Sequence, residues 1–338
     1  MLTQVLQPTA KALAEAAELL RKGELVAFPT ETVYGLGADA LNSSAVLKIF
    51  AAKNRPADNP LIVHIWDRSQ LSELCEPTET ALRLMDEFWP GPLTVLCKKK
   101  PAVPDVVTAG LDTVGMRMPS HPVAREMLRV SGVPVAAPSA NLSARPSPTS
   151  AAHVLEDMNG RIPLILDGGS CDFGVESTVL DASGAVPVIL RPGAVTREMV
   201  AQVTGACEVA DSVMRPLAEG ETAPSPGMKH RHYAPKGRLT IYRGNADAVA
   251  KAINQAYDEG GHPVILALTS HLPSYAGRET MSLGETLLDA AHNLFSCLRE
   301  ADHMGYDRLL AEAVSEEAVG LAVMNRMARA AAFDVVDV

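Results

Sequence analysis

The stretch FPTETVYGLG, residues 28–37, decides how this 338-residue chain is read. An apolar run, residues 25–28, is cut off by Pro29. Thr30, Glu31, Thr32 and Tyr34 then come within six residues, before Gly35 and Gly37 close the segment. This is a strand ending in a polar loop at the mouth of a sheet, where open α/β folds bind ligands. The plain alternative is a strand-to-helix connection whose two glycines supply positive φ. Gly35-Leu36-Gly37-Ala38-Asp39-Ala40 also matches the GxGxxA form of a dinucleotide fingerprint. That motif needs the strand to run straight into its first glycine, whereas a polar loop intervenes here. The GxxxxGK[ST] phosphate loop does not occur, so a bound nucleotide is held in some other way.

Upstream of this stretch, Thr9 caps a helix whose Leu13, Ala16, Ala17 and Leu20 recur at helical spacing until Gly23. Downstream, Asn42 or Ser43 caps a helix with Val46, Ile49 and Phe50 on one face, and Pro56 stops it near Lys53. Lys53, Asn54 and Arg55 thus fall at a helix end. Two cations there either answer the negative end of the helix dipole, worth about 0.3–1 kcal/mol, or await an anion. Residues 61–65 form a strand containing His64, which is a packed core residue or a ligand group. A helix over 78–88 and the turn Trp89-Pro90-Gly91-Pro92 lead into a strand at 93–98. From 113 to 118 the alternation sets Val114, Met116 and Met118 on one face, with Thr113, Gly115 and Arg117 on the other. Arg117 is therefore solvated or aimed into a cleft, where Gly115 leaves room for a ligand.

A short buried strand at 133–137 breaks at Pro138 into Ser139-Ala140-Asn141-Leu142-Ser143, followed by a turn holding Arg145 and Ser147. Strands at 164–166, 177–180 and 186–190 come next, the last ending in Arg191. A helix over 196–203 closes the first domain, taken as residues 1–205. Periodicity fails over 206–237, where Pro216, Pro224, Pro226 and Pro235 mark a linker. Within it, SPGMKHRHYAP, residues 225–235, concentrates basic and aromatic groups. This is a basic strap over an anionic ligand or a solvated tether; His230 and His232 alone are weak grounds for a metal. Residues 238–338 alternate strand and helix as a small parallel α/β domain. Leu287, Leu288, Ala291, Leu294, Phe295 and Leu298 trace a stripe that packs on its sheet.

The bulk properties set bounds. A length of 338 residues suits two domains, and 47% hydrophobic with 21% charged residues is ordinary for a globular protein. No run reaches the length of a bilayer span, and a cytoplasmic protein is expected. Five cysteines, never in a CxxC pair, point to reduced thiols. A net charge of −10 argues against a protein that coats nucleic acid by itself. An anion must therefore be met by local cations, and Lys53, Arg55, Arg117 and Arg191 stand at element ends beside the hydroxyl-rich loops 30–32 and 139–143. That set suits a triphosphate and a small polar substrate.

FPTETVYGLG, the KxR of Lys53-Asn54-Arg55, the SxN of Ser139-Ala140-Asn141 and the HYAP of 232–235 together resemble the two-domain L-threonylcarbamoyladenylate synthases. The resemblance implies an α/β fold, a YrdC-like twisted mixed-sheet domain followed by a small Rossmann-like parallel domain. It implies a nucleotidyltransferase joining L-threonine, bicarbonate and ATP into threonylcarbamoyl-AMP and pyrophosphate, with Mg²⁺ accompanying the ATP. The product would pass to the machinery that modifies tRNA beside the anticodon. By matching position, Thr32, His64, Arg117, Ala137, Ser139 and Ser177 would hold threonine. Arg55, Asn59, Thr113, Ser147, Arg191 and Tyr233 would hold ATP. Lys53, Arg55, Ser139 and Asn141 would form the catalytic signature, with no resident metal. The rival readings are an RNA-binding YrdC-like protein, a carbamoyl-transfer module and a dinucleotide enzyme.

Overall fold

The computed structural model describes residues 2–215 and 232–338. Most of the basic strap, 225–231, therefore lies outside the described residues, and so does His230. Two compact units emerge: one holds the chain before Ala144 together with Ser147–Val213, the other holds Ala144–Pro146 and the chain from His232 onward. The first unit runs past the expected boundary at 205, because Glu208–Val209 pairs in parallel with Val188–Arg191. The expected linker 206–237 is thus structured at both ends: 206–213 belongs to the first unit and 232–237 to the second.

A mixed twelve-stranded sheet organises the first unit. Its order is Gln4–Leu6, Leu164–Leu166, Val26–Phe28, Gly35–Asp39, Val135–Ala137, Ile62–His64, Thr113–Arg117, Leu93–Lys99, Thr178–Asp181, Val188–Arg191 and Glu208–Val209, with Cys75–Glu76 beside Leu93–Lys99. Phe28 pairs with Gly35 in an antiparallel hairpin, so FPTETVYGLG is strand, loop and strand. Neither glycine there has positive φ. Their role is clearance, since a Cβ on Gly37 would lie 2.7 Å from Val135 Cγ1 and 2.9 Å from Phe28 Cε1. This overturns both the plain strand-to-helix reading and the dinucleotide reading of the stretch.

The period-two alternation sorts the central strands. Val63, Val95, Val114, Met116 and Leu180 point into the main core, which the helices Ser43–Lys53 and Glu79–Phe88 also line. His64, Arg117 and Thr94 lie in register on the opposite face. Helix Ala10–Arg21 forms where expected, with the Thr9 hydroxyl accepting from Ala12 N–H at 3.3 Å. It packs with Pro122–Ser131 over Val26, Phe28 and Leu164. Asn42 caps Ser43–Lys53 by accepting from the N–H groups of Ser44 and Ala45.

The second unit is built on a five-stranded, wholly parallel sheet ordered Thr280–Ser282, Pro263–Ala267, Arg308–Glu312, Arg238–Arg243 and Val335–Asp337. Helix Leu287–Met304 buries Ala290, Ala291, Leu294, Phe295 and Leu298, whereas Leu288 is 60% exposed and falls outside the expected stripe. All five cysteines are free thiols. None of the described helices is long and apolar enough to cross a membrane.

Candidate active site

The loop after Phe28 is buried and internally locked. The Thr30 hydroxyl donates to Val33 O at 2.6 Å and accepts from the N–H groups of Thr32 and Val33. Tyr34 donates its phenol proton to Gly169 O at 2.7 Å and accepts from Gly168 N–H. Burial first, then the nearby Cys171 and Asp167, push that phenol well above its ordinary range. Ala140 N–H donates to Tyr34 O and Leu36 N–H to Pro138 O, so the loop from Pro138 is stitched to the FPTETVYGLG hairpin.

Lys53 is buried, and its ammonium donates to Ser139 O at 2.5 Å and Asn141 O at 2.6 Å. The Ser139 hydroxyl donates to Asn141 Oδ1 at 2.6 Å. The lysine is therefore a brace for the SxN loop and not simply an answer to its own helix dipole. Asn54 takes a left-handed conformation at the helix end, φ 51°, so the chain turns there and Arg55 points elsewhere. Arg55 Nη2 donates to Asn59 O at 3.0 Å. Asn59 is buried, and neither Oδ1 nor Nδ2 of its amide has a partner among the described residues. Beside it, Pro60, Ile62, Thr94, Leu96, Thr113, Gly115 and Val179 are among the residues lining a small concavity. Gly115 keeps it open, because a Cβ there would meet Thr94 Cγ2 at 3.1 Å.

A row of polar groups crosses the strands on this face. His64 pairs with Arg117, Arg117 with Thr94, and the Thr94 and Ser177 hydroxyls lie 2.8 Å apart. Arg191 donates to Ser177 O from Nε at 3.1 Å and from Nη2 at 3.0 Å, and to Ser177 Oγ at 3.2 Å. Arg117 Nη2 donates to Glu31 Oε1 at 2.8 Å and to Thr32 Oγ at 2.9 Å, while its buried Nε has no partner among the described residues. His64 Nδ1 is likewise buried without a partner among the described residues. Burial, and then the neighbouring Arg117 charge, lower the His64 pKa to about 3, so the ring is neutral near pH 7. Ala137 ends the strand that joins His64 to the SxN loop.

Two acids of this region escaped the sequence reading as site residues. Glu31 is ion-paired to Arg117, and Glu176 accepts from the Ser147 hydroxyl at 2.5 Å. An acid next to the hydroxyls of FPTETVYGLG was the available signal for Glu31; Glu176 carried none. Tyr233 lies in the other unit, stacked on Phe295 with ring centroids 5.1 Å apart and with the Arg326 guanidinium 5.8 Å from its ring. Thirteen of the fourteen expected residues thus fall in the first unit, on its strands, its loops and the end of helix Ser43–Lys53. Among the described residues there is no group of three or more His, Cys, Asp or Glu suited to a metal ion.

A family model described as "Telomere recombination" matches residues 18–193, and one described as "Threonylcarbamoyl-AMP synthase, C-terminal domain" matches residues 195–332. The chain is similar to a threonylcarbamoyl-AMP synthase of Pyrococcus abyssi, 47% identical over 96% of this chain and 95% of the relative. It is 48% identical to a Bacillus subtilis protein of the same name, over 94% of this chain and 92% of the relative. The crystal structure of P. abyssi Sua5 complexed with L-threonine superposes with a TM-score of 0.91 at 44% identity, covering 100% of this chain and 99% of that one.

Proposed function

The chain belongs to the threonylcarbamoyl-AMP synthase family and is a nucleotidyltransferase of that activity, and from that premise we propose how its buried polar row carries the reaction. Arg117, Thr32, His64, Ala137, Ser139 and Ser177 hold L-threonine and its carboxylated form. Arg55, Asn59, Thr113, Ser147 and Arg191 hold ATP, and Lys53 with Asn141 keeps the SxN loop in shape. The observation that carries this reading is Arg117: a buried guanidinium with two hydrogen bonds made and Nε unpartnered among the described residues. A carboxylate is the group that satisfies it, because a buried charged donor left unpaired costs more than about 1–3 kcal/mol.

The chemistry asks for alignment and charge rather than a covalent nucleophile. The neutral amine of threonine takes up carbon dioxide derived from bicarbonate as a carbamate. One carbamate oxygen then attacks the α-phosphorus of ATP, and the bond to the β-phosphate oxygen breaks as pyrophosphate leaves. Neutral His64 adds no positive charge that would oppose an ammonium at the threonine subsite. Arg55 and Arg191 supply charge where it builds up on the phosphates. Holding both reactants in line is worth about 7–11 kcal/mol. Mg²⁺ enters as part of the MgATP substrate, held mainly by phosphate oxygens and water. This fits the acids of the row, since Glu31 answers Arg117 and Glu176 accepts from Ser147.

The product is handed to the enzymes that place threonylcarbamoyl on tRNA beside the anticodon, in the cytoplasm. Pyrophosphate release tests the reading. Full rate is expected only with ATP, L-threonine and bicarbonate together, and release that ignores threonine would contradict it.

A further inference from the structure

We propose that Glu31 is the positioning residue of the threonine subsite, fixing Arg117 and, through Arg117, the direction in which the Thr32 hydroxyl points. The inference rests on the reading that Arg117 receives the threonine carboxylate. The Glu31 carboxylate is clamped at both oxygens: Oε1 accepts from Arg117 Nη2 at 2.8 Å, and Oε2 accepts from Ser120 N–H at 3.1 Å. Its main-chain carbonyl accepts from Phe173 N–H at 2.9 Å, so the backbone is pinned as well. The side chains of Glu31 and Arg117 are 1% and 5% exposed, and the pair has little solvent to exchange partners with.

The consequence lies in the hydroxyls. Thr30 gives its single proton to Val33 O, which can only accept. The 2.8 Å contact between Thr30 Oγ and Thr32 Oγ is therefore donated by Thr32. Arg117 Nη2 occupies one lone pair of Thr32 Oγ at 2.9 Å. Thr32 has no proton left for a ligand, and what remains is a lone pair that accepts. The subsite thus has a fixed polarity, with a donor at Arg117 Nε for the carboxylate and an acceptor at Thr32 for an N–H of the amine. Carboxylation of the amine leaves one N–H in place, so the Thr32 contact persists from threonine to its carbamate.

Glutamine at this position disrupts the clamp. Its one oxygen serves either Arg117 or Ser120 N–H, and its amide then faces the other donor. In the full-length enzyme, Glu31→Gln is expected to raise KM for L-threonine at least ~10-fold while KM for ATP stays within ~3-fold. Glu31→Asp, which keeps the charge but shortens the reach, is expected to move KM in the same direction by less. Thr32→Ser should retain threonine use and Thr32→Val should lose it. Unchanged KM values in Glu31→Gln, or equal changes in both, would overturn the inference. If that variant does not fold, Glu31→Asp decides by the same split. Arg117→Lys separates the two layers. If it raises KM for threonine and the Glu31 variants do not, the positioning role falls and the subsite stands. If it leaves threonine use untouched, the subsite reading itself falls.

Discussion

Two buried polar residues show what a binding site costs the fold. Asn59 is buried with no partner among the described residues for its amide, an arrangement that costs about 1–3 kcal/mol per unsatisfied group. Asn59→Leu is therefore expected to leave thermal stability unchanged or raised while KM for ATP rises several-fold; a loss of stability with unchanged KM would assign Asn59 to the scaffold instead. His64 makes the other case, through pH. Its pKa falls from 6.5 to about 3 on folding. As pH drops below 6.5, the unfolded chain takes up a proton that the fold refuses, and stability is lost down to about pH 3. Glu31 acts further down: burial works to raise its pKa, but the Arg117 charge and hydrogen bond outweigh it and hold it below 4.5. Stability from that pair is present above 4.5 and lost as pH falls through the lowered value. In His64→Gln, the stability lost between about pH 6 and 5 should shrink by about one proton's worth, ~1.4 kcal/mol per pH unit; thermal unfolding across pH checks it. The cations of the site were legible because basic residues at strand and helix ends are conspicuous in an acidic chain. Glu31 stood out only by its place among the hydroxyls of FPTETVYGLG and Glu176 not at all, because an acid in a loop looks the same whether it meets water or a buried partner.

At the scale of elements, the FPTETVYGLG hairpin shows how near the sequence comes to its own answer. The first strand and the polar loop are readable from the apolar run and Pro29. The second strand is not, since Gly35 and Gly37 signal a turn as readily as a crowded strand. The deciding fact is non-local: Val135 and Phe28 fill the space over Gly37. Gly37→Ala places a methyl group 2.7 Å from Val135 Cγ1, and such overpacking costs about 1–3 kcal/mol. The first unit should then melt several degrees lower, as calorimetry would record; an unchanged melting temperature would mean that the hairpin yields without strain. Leu288 failed for a related reason. A helix of 18 residues carries more apolar side chains than one packed face needs, and the stripe took in one that is exposed. The strands Thr280–Ser282 and Val335–Asp337 are three residues each, too short to show alternation.

At the scale of the whole molecule, two α/β units were legible from length and from the strand–helix rhythm of the second half. The break between them was less so, because Glu208–Val209 joins the first sheet by backbone pairing that its side chains do not advertise. An enzyme with net charge −10 that uses a triphosphate must confine its positive charge to one lined site. In the proposed function that site has a threonine side governed by Arg117 and a nucleotide side governed by Arg55, Asn59 and Arg191. Titration calorimetry of L-threonine and of ATP into the wild type and into Arg117→Lys tests the division most directly. The account predicts threonine binding at least ~10-fold weaker, about 1.4 kcal/mol, with ATP binding within about two-fold of wild type; ATP binding lost while threonine binding is kept would contradict it.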